Sequence, residues 1–156
     1  MKHLLLLFWV GFCCWGCGKG GDQPDTLIDS GYDEQEMETA IARARKEVDR
    51  FITELSQPTG ENHAVKVPIT DSGETEHFWL INVSYRNGQF EGEINNEPGI
   101  VTNVRMGEKR KVNKADISDW MFMRGGKLYG NYTMRPLLTT MPKEEADKYR
   151  SMFAEP

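Results

Sequence analysis

Cysteine is nearly absent from this chain, and where it occurs is informative. The 156 residues hold three, Cys13, Cys14 and Cys17, all near the start. That excludes a disulfide framework and a Cys-ligated zinc site from the remainder. Histidine is almost as scarce: His3, His63 and His77 lack partners at ligand spacing, so no metal site is expected. No Walker loop, Gly-x-Ser-x-Gly elbow or dinucleotide fingerprint is present, and no cofactor is expected. Basic residues are outnumbered, 19 Lys and Arg against 24 acids for a net charge of −5. Non-specific nucleic-acid binding runs on phosphate neutralisation, so nucleic acid is not an expected partner. There is also no internal repeat.

What is present begins with an address. Met1-Lys2-His3 opens the chain, and Leu4 to Trp15 is apolar apart from Gly11. This is too short for a membrane-spanning helix, which needs roughly 20 apolar residues, and has the form of a secretory signal. Gly16-Cys17-Gly18 resembles a bacterial lipobox, in which cleavage before the cysteine leaves it as a lipid-bearing N-terminus. Cys14 and Trp15 depart from the Leu and small residue usual in such boxes, and an ordinary signal cleaved nearby is the other reading. The expected organisation is a signal peptide over 1–16, Cys17 with a Gly-rich tether to residue 32, and one domain over 33–156. Loss of Lys2 with the signal takes the formal net charge from −5 to −6. Two or more acyl chains hold a protein stably on a membrane, and Gly18 after the cysteine points, by resemblance to lipoproteins, to the outer membrane of an exported, periplasm-facing protein.

From Asp33 to Leu55 the pattern is helical: Met37, Ile41, Ala44, Val48, Phe51, Ile52 and Leu55 recur at spacings of three and four. Asp33 with Glu36 resembles a capping box, and Pro58 and Gly60 mark the exit. Arg43, Arg45, Lys46, Asp49, Arg50 and Glu54 are expected on the solvated face. The period then becomes two. Strands are expected over 64–69, with Pro68 suggesting an edge, over 76–86 and 89–95 joined at Asn87-Gly88, and over 100–104 and 109–112. Residues 117–123 and 127–133 form a second expected hairpin across Gly125-Gly126, and 142–153 a short closing helix. The fold class is α+β: an N-terminal amphipathic helix on a bent antiparallel sheet or small barrel of about six strands.

Three segments, in order, carry a resemblance: Glu76-His77-Phe78-Trp79-Leu80; Gly92-Glu93-Ile94-Asn95-Asn96-Glu97-Pro98; and Ile117-Ser118-Asp119-Trp120-Met121 with Gly130-Asn131-Tyr132-Thr133-Met134-Arg135. Together they resemble the YegJ-like bacterial family, domain of unknown function 2314, over about residues 36–140. The resemblance implies a small α+β domain, sometimes exported, and supplies no catalytic residues.

His77, Trp79, Asp119, Trp120, Tyr132 and Arg135 are the candidate binding residues, and no residue is assigned as catalytic. His77 as base oriented by Asp119, with Thr133 as nucleophile and Arg135 on an anion, would make an envelope hydrolase or transferase. Structural burial of the same residues is the plainer reading, and core packing the plainer one for Trp79 and Trp120. The basic run Arg105, Lys109, Arg110, Lys111 and Lys114 suits either an anionic surface or the protection of a sheet edge. The methionines are expected to fill core gaps. The leading expectation is a lipid-anchored binding module with an envelope protein or peptidoglycan as partner. A small inhibitor or immunity-type protein is a further alternative, and the oligomeric state is left open.

Overall fold

The computed structural model describes residues 31–154, together with the backbone of two short strands before them, β1 (Leu4–Phe8) and β2 (Thr26–Ile28). Cys17 and most of the expected tether lie outside the described residues.

Helix α1 (Glu34–Ser56) begins where the capping pattern placed it: the Asp33 carboxylate accepts from the Glu36 amide at 2.9 Å. Such a cap contributes about 1 kcal/mol. Met37, Ala44, Val48 and Phe51 are buried along one stripe, as the three-and-four spacing requires. Glu54 is the exception to the expected solvated face. It is buried because the chain folds back over it after the helix: its carboxylate accepts from the Thr59 and Gly60 amides at 2.8 and 2.7 Å and pairs with Arg124.

The strands that follow are β3 (Glu61–Asp71), β4 (Glu74–Arg86), β5 (Gln89–Ile94), β6 (Lys109–Asn113), β7 (Asp119–Arg124) and β8 (Lys127–Gly130). These six are antiparallel throughout, in the spatial order β6-β5-β4-β3-β7-β8, and form an open sheet rather than a closed barrel. β1 adds to the free side of β4 in parallel, opposite Thr75–His77, and β2 pairs with β1. Asn87 and Gly88 take φ of 51° and 82°, as the expected primed turn demands. Pro68 lies in an interior strand, but beyond Lys66, where pairing with β7 has ended. A missing N–H costs nothing there.

One expected strand does not form and another is cut short. Residues 100–104 are an irregular loop, because their amides are drawn to side chains of the sheet: Glu76 accepts from Gly99, Ile100 and Val101, and Asp71 from Thr102. The second hairpin stops at Gly130. There Gly130 and Asn131 adopt φ of 72° and 49°, which turns the chain into α2 (Met134–Leu137) and a 3₁₀ turn over Leu138–Thr140. α3 (Lys143–Met152) follows, and beyond it the Ala154 amide donates to Leu128 O, covering the β8 edge.

Side-chain alternation divides the sheet. Val65 and Val67, Phe78 and Leu80, Trp120 and Phe122 join Ala44, Val48 and Phe51 in the main core. Lys66, His77, Trp79 and Asp119 are register neighbours on the other face. A second cluster joins Met37, Leu128, Met134, Leu137, Leu138, Ala146 and Phe153, with Met121, Met123, Met141 and Met152 packed against it. The methionines fill the irregular space between α1, β8 and the closing helices.

A Cβ at Gly130 would meet Trp120 O at 2.2 Å, whereas one at Gly126, with φ of 73°, would meet nothing within 4 Å. Gly126→Ala should therefore cost about 1 kcal/mol from backbone conformation alone. Gly130→Ala adds a clash with the sheet and should cost about 2–4 kcal/mol. Urea unfolding of both variants measures the difference, and equal losses would refute the clash.

Candidate functional site

The residues singled out from the sequence fall into two places. The first is the sheet face opposite α1. There Lys66, buried with 1% exposure, donates through Nζ to Thr133 Oγ1 at 3.1 Å. Thr133 in turn donates from both its hydroxyl and its amide to Asp119 Oδ2, each at 2.7 Å, and the Trp120 amide donates to Asp119 Oδ1 at 2.8 Å. Burial pushes the Lys66 ammonium down to about 8, against the pull of Asp119. Burial likewise raises the Asp119 carboxyl, opposed by Lys66 and the Thr133 bonds. The Lys66 ammonium also lies 4.9 Å from the centre of the Trp79 ring. The hydroxyl of Thr133 thus links two buried charges that are not in direct contact.

His77 belongs to a neighbouring bond. Its Nδ1 lies 2.8 Å from Ser118 Oγ, and its buried Nε2 makes no hydrogen bond among the described residues. Burial, with Lys66 and Arg45 nearby, lowers this imidazole to about 3, so it is neutral. Asn96 accepts from the Trp79 amide at 2.8 Å, and Glu76 holds the 99–101 loop. His77 and Asp119 are therefore engaged with different partners, and both are sealed, with 2% and 0% exposure. The arrangement provides no open cleft in which this pair could handle a substrate proton. Trp120 is fully buried too: it stacks on Phe51 with centroids 5.5 Å apart and donates from Nε1 to Ala44 O at 2.9 Å.

The second place is open. A cleft of about 520 Å³ runs between the first half of α1 and the 132–136 segment. Asp33, Glu36, Thr39, Ala40 and Arg43 line one wall, and Tyr132, Arg135 and Pro136 the other. That volume lies within the ordinary range of small-ligand sites. The Arg43 guanidinium sits 4.6 Å from the Tyr132 ring centre and that of Arg135 5.8 Å from it. Glu47 fixes this end, accepting from Arg43 Nε at 2.8 Å and from the Tyr132 hydroxyl. Burial and the Glu47 bond raise the Tyr132 phenol far above its usual range, so it remains a donor. Burial raises the Glu47 carboxyl, but Tyr132 and Arg43 outweigh it and hold it below the usual range.

Tyr132 and Arg135 are thus brought together, while His77, Trp79, Asp119 and Trp120 are not part of the cleft. Arg43 was assigned by helical period to the solvated face. Its place three turns below the helix start, on the Asp33–Glu36–Ala40 line, was the legible signal, but the opposing wall was not. The basic run is largely neutralised: Lys111 pairs with Glu91, Arg110 with Glu108 and Lys114 with Asp49.

Residues 34–154 match the family described as an uncharacterized protein conserved in bacteria, domain of unknown function 2314. The chain belongs to this family. It is similar to the uncharacterized protein YegJ of Escherichia coli K12, with 58% identity over 97% of both chains. It is also similar to a putative ankyrin repeat protein of Neisseria meningitidis serogroup B, with 39% identity over 54% of this chain and 35% of that protein. No solved structure matches. Glu76, His77, Asp119 and Thr133 all hold buried bonds, which makes them part of the architecture.

A neutral His77 has a consequence for stability. Its folded value is depressed, so below pH 6.5 the unfolded chain takes up a proton the folded one refuses. Between pH 7 and pH 5 this should remove about 2 kcal/mol. His77→Gln should abolish that part of the slope in denaturant titrations, and an unchanged slope over this window would contradict the assignment.

Proposed function

We propose that the protein is an exported lipoprotein, anchored through Cys17 to the outer membrane and facing the periplasm, whose domain binds a ligand in the α1 cleft. The observation that carries the binding reading is the contrast between the two sites. His77, Asp119 and Thr133 are held in buried bonds, while Arg43, Tyr132 and Arg135 converge on an open cleft. Aromatic rings flanked by guanidinium groups are typical of surfaces that bind through a few anchors.

The address rests on the basic start, the apolar run to Trp15 and Gly16-Cys17-Gly18. Among the described residues, no helix is long and apolar enough to cross a membrane. Residues 18–32, with four glycines, would let the domain stand off the lipid surface.

Growth with a labelled fatty acid should mark the wild-type chain and leave the Cys17→Ser variant unlabelled. Label retained in the variant would refute the anchor. A photo-crosslinking residue at Thr39, on the cleft wall, should trap an envelope component in living cells. Arg43→Ala with Arg135→Ala should lower the yield at least tenfold while leaving the fold intact by circular dichroism. An undiminished yield would refute the cleft as the binding site.

A further inference from the structure

We propose that removal of the signal segment passes the β4 edge over Thr75–His77 from β1 to the chain's own β2, which docks there antiparallel and fastens the tether to the sheet. The inference rests on the reading that residues 1–16 are cleaved off, and names what then covers the edge.

Backbone polarity defines the edge. β3 and β4 pair without interruption from Val65–Leu80 to Asp71–Glu74. The Trp79 N–H donates to the Asn96 side chain and the Trp79 carbonyl accepts from the Asn95 amide, both on the side away from β3. Backbone groups alternate sides along an antiparallel strand, so those of Thr75 and His77 point away from β3 as well. β5 does not reach them, because its pairing with β4 ends at Leu80–Ile94. β1 is the strand that lies along this stretch, with Leu4 opposite Thr75 and Leu6 opposite His77. It falls wholly within residues 1–16, so cleavage before Cys17 takes away the strand that faces these N–H and C=O groups.

β2 is the occupant the geometry favours. It remains after cleavage and already lies one strand beyond β1, with Ile28 and His77 both opposite Leu6. It runs antiparallel to β1, and β1 runs parallel to β4, so β2 is already antiparallel to β4. A sideways move of one strand spacing, about 4.8 Å, brings Ile28 opposite His77 without reversing the chain. The five steps from Ile28 to the Asp33 cap reach roughly 17 Å when extended, ample for that move. Leu27 and Ile28 are the only large apolar residues between Gly18 and Gly31, and Ile suits a strand. Attachment also gives β2 an effective concentration in the millimolar range, which a strand on another molecule lacks. Docking leaves residues 18–25 as the flexible part and shortens the mean reach of the tether from roughly 21 to roughly 16 Å.

Amide hydrogen exchange at Thr75 and His77, followed by NMR in detergent micelles, tests this on two products of the full chain. One is the mature protein purified from the envelope, the other the uncleaved Cys17→Ser precursor. In the mature wild type both amides should exchange at least tenfold more slowly than in an unstructured peptide. Ile28→Pro removes a strand N–H and should abolish that protection in the mature protein. It should leave the precursor unchanged, because β1 holds the same amides there. Phe78 and Leu80, whose amides face β3, should stay protected in every form, which separates lost docking from unfolding. Protection that survives Ile28→Pro in the mature protein, or a wild-type edge that exchanges freely, overturns the assignment. So does protection that falls on dilution, which would put the strand of a second copy on the edge. A chain shown by intact mass to be cleaved, yet with a freely exchanging edge, leaves the address standing and removes the docking. A chain that retains residues 1–16 removes both.

Discussion

The dipeptide Asp119-Trp120 holds the two halves of this molecule together. Successive side chains of a strand point to opposite faces, and here each face is put to use. Trp120 turns toward α1, stacks on Phe51 and donates its indole N–H to the Ala44 carbonyl. Asp119 turns the other way and accepts both the amide and the hydroxyl of Thr133. The backbone of Trp120 adds a third tie, accepting from the Asn131 amide at 2.8 Å. One turn of β7 therefore fixes the position of the helix and of the 131–137 segment relative to each other. The walls of the cleft, Arg43 on α1 and Tyr132 and Arg135 beyond β8, inherit their separation from this link.

The same constraint explains why so much polarity is buried. A carboxylate inside a protein is costly unless its oxygens are occupied and a positive charge lies near. Asp119 meets both conditions, with three hydrogen bonds and Lys66 one hydroxyl away. Glu76 and Glu54 solve the same problem with backbone amides, Glu76 against the 99–101 loop and Glu54 against Thr59 and Gly60. In each case the carboxylate immobilises a segment that has no regular structure of its own. Loops that would otherwise expose unsatisfied amides become fixed parts of the domain.

Much of the architecture was legible from residue order. The α1 stripe, the Asp33 cap, the Asn87-Gly88 turn and the α+β class follow from local periodicity and from backbone preferences that act over a few residues. The residues that escaped are those whose conformation is decided by a distant partner. Ile100–Val104 alternate like a strand, yet their amides are claimed by Glu76 and Asp71, far away in sequence. Tyr132 and Thr133 continue a strand pattern, yet the left-handed backbone at Gly130 and Asn131 and the hold of Asp119 redirect them. Glu54 lies on the polar side of a helical wheel, but the return of the chain at Thr59 covers it.

The scarcity of cysteine, confined to the first 17 residues, already meant that the domain had to be held by packing and hydrogen bonds. Composition and period alone determined that much, with the helix, most of the strands and the family pattern, because each depends on neighbours in the chain. Only the tertiary structure decided which polar residues are open. His77 and Asp119 look equally available to chemistry in the sequence, and Arg43 looks like an ordinary solvated residue. Burial and pairing reverse that order, because whether a charged group meets solvent is set by what the rest of the fold places over it.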